Sequence, residues 1–288
     1  MSRNRTGSPR NRALGAELRE IRERAGVTVR ELAHRIGGHH SKYTRNEQAA
    51  RSPSPEEVAS IMTALGASEA ERDRLVEMAR EHDGGGNWLK SGSAGSLGIN
   101  HELTDLMEFE RTATSIVNVS PILIPGLLQT SDYARAVMGG MPSHEVDARV
   151  AMRVGRRDVL MRRTGLPTFV AFIEESALLH TLGGPAVMVE QLYQITSLGA
   201  RPNITVRVIP RNLTTWHPAL AGPFIYFEFP KAPPIVHVEH LSSSAFLSEP
   251  EDAAVYRKAV DTIAKAALTP KESSELIAGR LAELEGAV

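Results

Sequence analysis

Residues 14–67 read LGAELREIRERAGVTVRELAHRIGGHHSKYTRNEQAARSPSPEEVASIMTALGA, and they decide the fold of the N-terminal part of this chain. Apolar residues recur at helical spacing in short runs, and glycines separate the runs. Several runs begin with a Ser or Thr that stands three residues before a Glu, the spacing of a capping box. These boxes are predicted at Thr28 and Glu31, Ser54 and Glu57, and Ser68 and Glu71. The pattern predicts five capped helices.

The centre of this stretch, VTVRELAHRIGGHHSKYTRNEQ, contains two helical segments separated by Gly37 and Gly38. This is the spacing of a helix-turn-helix, in which the second helix lies in the major groove of DNA. The second segment, predicted over His40 to Ala49, is strongly polar between two apolar helices. Double-stranded DNA is therefore the first partner to consider. The alternative is a helical bundle whose polar helix is simply solvated.

Charge is unevenly distributed along the chain. Residues 1–60 contain 12 Lys and Arg against 7 acidic residues, a net charge of +5. Because the whole chain has a net charge of −1, the other 228 residues carry −6. A basic N-terminal region followed by an acidic remainder favours a polyanionic ligand that binds at the N-terminal end.

The length of 288 residues favours two domains. We predict a basic disordered arm at residues 1–11 and the helix-turn-helix domain at 12–82. The Gly/Ser-rich stretch 83–98 is predicted to be a linker, and residues 99–288 to form the second domain. The absence of cysteine, of a signal-peptide pattern and of a long apolar run leads us to expect a cytoplasmic protein without a membrane span.

In the second domain, the hydrophobic period changes from helical to alternating after Pro167. Four strands are predicted: LPTFVAFIE, NITVRVIP, GPFIYFEF and PIVHVEHL. Helices flank them, and the last two helices are predicted to open with capping boxes at Ser248 and Glu251 and at Thr269 and Glu272. The fold class predicted for the chain is α+β: an all-α five-helix domain followed by a domain with a small, mainly antiparallel sheet and flanking helices.

Side chains of the polar helix are the candidates for DNA contacts. For base edges we predict His40, Lys42 and Tyr43. For the phosphate backbone we predict Arg35, Ser41, Thr44, Arg45 and Arg51.

The stretch LGAELREIRERAGVTVRELAHRIGGHHSKYTRNEQAARSPSPEE resembles the XRE-type helix-turn-helix of actinobacterial regulators. Downstream, SPILIPGLLQTSDYARAVM, VDARVAMRVGRRDVL, GGPAVMVEQL, NITVRVIP, HPALAGPF and FEFP resemble the C-terminal domain of the WhiJ-like, antitoxin-type group. The resemblance implies a DNA-binding transcriptional regulator, often encoded beside a small partner protein. It implies no catalytic activity.

Four residues depart from the pattern of that group. Asn46 stands where an apolar residue usually packs, so we expect a buried amide that weakens the docking of the polar helix. Ala49 replaces a Gly where a positive φ is preferred. Val29 replaces a common Gln, and His39 is a weaker helix cap than Ser.

Other chemistries have weaker support in the sequence. His34, His39 and His40 are better explained as solvated or DNA-facing residues than as a metal site, and the sequence implies no third ligand for a site at His237 and Glu239. We therefore predict no metal, cofactor or catalytic residue. Standard hydrolase and nucleotide-binding motifs are absent. A possible effector pocket is predicted at Trp216, His217, Phe224 and Tyr226, with core packing as the alternative.

These features lead to two hypotheses. The first is a transcriptional regulator that binds DNA as a homodimer, because one short helix reads few bases. Its C-terminal domain is expected to bind a small partner protein or a small-molecule effector. The second is a protein derived from such a regulator, with a decayed DNA helix, whose C-terminal domain binds or transforms a small molecule.

Overall fold

The structure, a computed structural model, describes residues 9–80, 101–140, 143–239 and 244–286. The chain divides into two compact units, an N-terminal unit of helices and a C-terminal unit built on a sheet. The predicted linker at 83–98 and residues 1–8 of the predicted arm lie outside the described residues.

The N-terminal unit includes most of the helix His101–Thr112 and, within the described residues 9–80, the five helices that were predicted. They are α1 (Pro9–Arg24), α2 (Val29–Ile36), α3 (His40–Glu47), α4 (Pro55–Ala64) and α5 (Glu69–Arg80). The capping boxes predicted for α2 and α4 are both formed. Ser68 and Glu71 exchange the same reciprocal bonds before α5. Local side-chain chemistry therefore sets the starts of these helices.

The start of α1 differs from the prediction. The helix begins at Pro9, so the last residues of the predicted disordered arm are helical. Asn11 is buried, and its Nδ2 donates a hydrogen bond to the carbonyl oxygen of Ala49 at 3.2 Å. This contact with a residue 38 positions away explains why local sequence did not indicate order.

One apolar core holds the five helices together. It contains Leu14, Leu18 and Ile21 of α1 and extends through Leu32, Val58, Ile61, Met62 and Leu75. Burial of each Leu, Ile or Met side chain contributes about 1.5–3 kcal/mol relative to exposure. The core is therefore the main source of stability for this unit.

Gly15 allows α1 and α3 to approach closely. A Cβ atom at this position would lie 2.6 Å from the carbonyl oxygen of Asn46 and 2.8 Å from that of Glu47. Carbon and oxygen atoms that are not bonded do not approach so closely, and both acceptors are backbone atoms. Only glycine fits without moving α3.

The C-terminal unit is built on six strands and its flanking helices. The helices described after residue 100 are α6 (His101–Thr112), α7 (Ser131–Val137), α8 (Ser143–Gly155), α9 (Glu175–Leu179), α10 (Pro185–Gly199), α11 (Pro250–Ala266) and α12 (Pro270–Glu285). The strands are β1 (Ser115–Ser120), β2 (Thr168–Glu174), β3 (Ile204–Ile209), β4 (Phe224–Glu228), β5 (Ile235–Glu239) and β6 (Ser244–Leu247). Short 3-10 turns occur at 126–128, 156–160 and 218–221.

The six strands form one sheet in the order β3-β2-β1-β4-β5-β6. The pairs β1 with β2 and β2 with β3 are parallel, and the other three pairs are antiparallel. The prediction of a mixed domain with a mainly antiparallel sheet is confirmed. So is the antiparallel pairing of the last two predicted strands, β4 and β5.

Two of the six described strands, β1 and β6, were not predicted from the sequence. The central strand β1 is buried at four consecutive positions, so it lacks the alternation that marks a half-exposed strand. Strand β6 is a four-residue edge strand with little burial. The predicted capping box at Ser248 and Glu251 is also wrong. Helix α11 begins at Pro250 after Glu249, with no side-chain cap, because Pro is itself preorganised for the first helical position.

The two glycines Gly15 and Gly279 allow a matched test of the close helix contact. Gly15→Ala should lower the free energy of unfolding by about 1–3 kcal/mol, because the new methyl group collides with backbone of α3. Gly279→Ala, in the exposed interior of α12 with no atom within 4 Å of the new Cβ, should raise it by about 0.5–1 kcal/mol. Urea unfolding followed by circular dichroism measures both. Equal effects of the two substitutions would contradict the close contact.

Candidate nucleic-acid interface

Helices α2 and α3 are joined by a tight turn that glycine makes possible. Gly37 has φ 80° and Gly38 has φ 100°, a region that side-chain-bearing residues seldom adopt. His39 then caps α3, since its Nδ1 accepts a hydrogen bond from the backbone N–H of Ser41 at 3.3 Å. The Ser41 hydroxyl lies 2.8 Å from the same nitrogen. The imidazole thus does serve as the helix cap, in place of the usual Ser.

A buried ion pair holds α3 against α1. The guanidinium of Arg22 donates to both carboxylate oxygens of Glu47, from Nε at 2.7 Å and from Nη2 at 2.9 Å. The third nitrogen, Nη1, donates to the carbonyl oxygen of Val27 at 2.9 Å, in the loop before α2. Hydrogen bonding to Glu47 outweighs burial and raises the pKa of Arg22. One side chain therefore connects α1, the following loop and the end of α3.

Tyr43 does not face outward, which corrects its prediction as a base contact. Its side chain is only 4% exposed and belongs to the core of the N-terminal unit. The phenol hydroxyl donates to the carbonyl oxygen of Gly37, in the turn that precedes α3. Tyr43 thus anchors the polar helix instead of reading DNA.

The exposed surface of α3 consists of polar and basic side chains. His40, Ser41 and Arg45 are exposed, as are His39 before the helix and Gln48 after it. The rings of His39 and His40 lie 4.3 Å apart, centroid to centroid. The sequence prediction did not include His39 and Gln48, although they are exposed beside the predicted contacts.

Lys42 and Arg51 converge on one carboxylate, that of Glu57. The Lys42 Nζ lies 2.6 Å from Glu57 Oε1, and Arg51 makes a two-pronged contact with both oxygens of the same group. These bonds, with that from Arg51 first, lower the pKa of Glu57 to about 2. Lys42 nevertheless keeps 38% of its side-chain surface exposed. A DNA phosphate or base must compete with Glu57 for these two cations.

The other predicted phosphate contacts are placed differently from one another. Arg35 is exposed, and its Nη1 donates to the carbonyl oxygen of Ala64 at the end of α4. The hydroxyl of Thr44 donates to the carbonyl oxygen of His40, one turn back in the same helix. Among the predicted contacts, the guanidinium of Arg45 makes no hydrogen bond or ion pair with another described residue.

Two of the four departures from the regulator pattern have the expected local effect. Asn46 is 1% exposed, its Oδ1 accepts from Arg51 at 3.0 Å, and its buried Nδ2 donates to none of the residues that the structure describes. Ala49 has φ 54° and is the one residue other than glycine with a positive φ in the described part of the chain. Both features cost stability, of the order of 1–3 kcal/mol for a buried polar group without a partner.

The predicted effector-pocket residues do not share one environment. Phe224 and Tyr226 are core residues between the sheet and α11, and the ring of Phe224 meets that of Tyr256 edge-on at 4.9 Å. Trp216 is 70% exposed, whereas His217 is buried, and its Nδ1 has no hydrogen-bond partner within the described ranges. The core-packing alternative therefore describes Phe224 and Tyr226, which corrects their prediction as pocket residues.

Neither a metal cluster nor a membrane-spanning helix is found in the part of the chain that the structure describes. No group of three His, Asp or Glu side chains is placed to hold a metal ion among those residues. None of the described helices has the length and apolar character needed to cross a bilayer.

The arrangement of α2, the glycine turn and a seated polar α3 defines the class of this N-terminal unit. A family model described as a helix-turn-helix domain matches residues 13–75, so the chain is a DNA-binding protein of the regulator type. A second model, described as a domain of unknown function (DUF5753), matches residues 103–279. This match covers more than half of the chain, and the protein belongs to that family. Neither the curated proteins nor the solved structures contain a match.

The low pKa of Glu57 predicts part of the acid sensitivity of the protein. Its folded-state pKa of about 2 lies below the ordinary 4.5, so its stabilising contribution is full above about pH 4.5 and is lost as the pH falls through about 2. Glu57→Gln should therefore lower the stability at about pH 6 and reduce the further loss of stability between about pH 6 and pH 3.

The measurement is urea unfolding at the two pH values. Glu69→Gln removes a carboxylate from the first turn of α5, where it is 83% exposed, and should leave the pH dependence unchanged. If Glu57→Gln and Glu69→Gln behave alike, the contact of Glu57 with Arg51 and Lys42 does not stabilise the fold.

Proposed function

We propose that the protein is a sequence-specific transcriptional regulator of the WhiJ-like, antitoxin-type group and that α3 is its reading helix. The observation that supports this most is the polar, partly basic surface of α3 on a helix held by the Arg22 and Glu47 ion pair. A rigidly held helix keeps its outward side chains at constant positions, which direct readout of base edges requires.

Within this proposal, His40 and Lys42 contact bases, with His39 beside them. Arg45, Ser41 and Thr44 contact the phosphate backbone, together with Arg35 and Arg51 at the flanks. Arg45 is the strongest candidate, because its exposed guanidinium makes no ion pair with a described residue. Lys42 becomes available when a base edge replaces the Glu57 carboxylate as its partner, and Arg51 when a phosphate oxygen does.

We propose that the regulator acts as a homodimer in the cytoplasm of an actinobacterium, with residues 12–82 as the DNA-binding domain. A single short helix reads three or four base pairs at most, and a second half-site supplies the missing specificity. The domain at residues 99–288 then serves dimerisation or binds an effector or a small protein encoded beside the regulator. The resemblance in the sequence supports that last role.

Two substitutions on α3 distinguish base from phosphate contacts in a gel-shift assay on DNA from the protein's own promoter region. Arg45→Ala should weaken binding to all sequences and reduce the slope of log affinity against log salt by about 1. Lys42→Ala should cost about 1–3 kcal/mol and relax the preference at one base pair. Lys271→Ala, the same change at an 88% exposed side chain of α12, is the control and should have no effect.

Footprinting on the same DNA tests the specific-regulator proposal as a whole. A protected region of two half-sites about one helical turn apart is expected. Binding without any footprint would remove sequence specificity from the proposal. Repeating the experiment with the neighbouring small protein added tests the partner role, since a true partner changes the protected region or the affinity.

A second candidate function has its own support in α3. The Nδ2 of Asn46, which has no partner among the described residues, is a defect in α3, and the positive φ of Ala49 is a defect just after that helix. They fit a protein derived from a regulator whose C-terminal domain binds or transforms a small molecule. This candidate requires negligible DNA affinity at physiological salt and a rise in melting temperature with a metabolite. A gel-shift band that survives at physiological salt would rule it out.

A further inference from the structure

We propose that the C-terminal unit contains a binding site for a small organic anion at Arg153, Arg157 and His237. The site goes beyond the proposed DNA-binding function and does not depend on it. Arg153 lies in the last turn of α8, Arg157 lies in the 3-10 turn that follows, and His237 is on β5. The ligand class is a carboxylate or phosphate carried by a small molecule.

In this cluster, the arginine side chains outnumber the carboxylates that contact them. Arg156 is saturated, because its Nε and Nη2 donate to Glu110 at 2.9 and 2.6 Å in a buried pair. Arg153 has no carboxylate within ion-pair distance among the described residues, and its one hydrogen bond there is from Nη1 to the neutral Gln129 Oε1 at 3.2 Å. Arg157 donates from Nη2 to the backbone carbonyl of Gln129. Two guanidinium groups therefore lack a counter-charge in direct contact.

Several donors in the cluster are unused. The Nε of Arg157 is buried, and no residue in the described part of the chain accepts a hydrogen bond from it. No described residue accepts a hydrogen bond from Nε or Nη2 of Arg153. A buried donor without a partner costs about 1–3 kcal/mol. Guanidinium groups pair most strongly with carboxylate and phosphate oxygens, so an anion satisfies these donors.

His237 extends the cluster to the face of the sheet. Its side chain is 4% exposed, its ring stacks on Phe246 at 4.6 Å, and it forms no hydrogen bond with a described residue. Burial and the nearby Arg156 charge lower the pKa of His237 to about 4, so the imidazole is neutral near pH 7 and can donate one N–H. Glu239, on the same face of β5, is exposed and attracts Arg153 and Arg156 from a distance.

The burial of these groups favours a small molecule over an acidic protein surface. Arg156 is 7% exposed and His237 is 4% exposed, whereas Arg153 is half-buried and reachable from solvent. A compact anion can reach recessed donors that a flat protein surface cannot. Burial lowers the pKa of Arg153, and the positive charge of Arg156 lowers it further. A bound anion would offset the repulsion between these two guanidinium groups.

Calorimetric titration of the full chain with citrate, and separately with inorganic phosphate, tests the site against sodium chloride at matched ionic strength. We expect saturable binding of at least one probe and a shift of the His237 ring resonances in NMR spectra. Arg153→Gln should weaken the binding roughly tenfold or more, and Arg153→Lys, which keeps the charge but loses the fork, should weaken it less. Arg163→Gln, the same charge change at an exposed position nearby, should alter it less than about twofold.

The melting temperature without ligand separates a ligand site from a structural role. Arg153→Gln should leave it unchanged or raise it, because the substitution removes a desolvated charge that lacks an ion-pair partner. Binding of both probes no tighter than chloride, or equal binding by Arg153→Gln and the wild type, would overturn the site. So would a probe that binds without shifting His237. A gel shift on promoter DNA is unaffected by these outcomes, so the DNA-binding proposal is judged separately.

Discussion

The N-terminal unit depends on the way in which α3 is held against α1. The helix is too polar to be held by apolar burial alone, since Tyr43 is its one large core side chain. The two-pronged contact of Arg22 with Glu47 and the close approach at Gly15 supply the rest. A buried ion pair that has lost one partner is strongly destabilising, about 3–5 kcal/mol. The position of the reading helix is therefore coupled to the integrity of α1 and the loop after it.

Glu57 links the stability of this unit to its ligand binding. Its carboxylate caps α4, and it also attracts Lys42 and Arg51, two cations predicted to contact DNA. Phosphate oxygens, like this carboxylate, accept hydrogen bonds from cationic side chains. DNA that contacts Lys42 or Arg51 must therefore displace Glu57 or share these side chains with it. Part of the gross attraction would be lost in that exchange, whereas the guanidinium of Arg45 has no such competitor among the described residues. Buried charge recurs in the C-terminal unit, where Glu110 neutralises Arg156 but no carboxylate of the described chain contacts Arg153.

The parts predicted well from the sequence were those governed by local chemistry. A Ser or Thr three residues before a Glu correctly predicted the boxes at α2, α4 and α12, because both hydrogen bonds close within one turn. The prediction failed at Ser248, where Pro250 determines the helix start. Strand β1 was missed because it is buried on both faces and shows no alternation. Tyr43 was assigned to DNA because a polar helix gives little indication of which side faces inward.

Local sequence patterns predict the five-helix order, the glycine turn, the polar character of α3 and the α+β class of the chain, since propensity, capping and hydrophobic period act over a few residues. Contacts between distant residues determine which polar side chains of α3 are available. Glu47 is occupied by Arg22, 25 residues earlier, and Tyr43 points to Gly37 in the core. The tertiary structure also brings Arg156, in the turn after α8, near His237 of β5. Ion pairs and buried charges join residues far apart in sequence, and no local pattern records their partners.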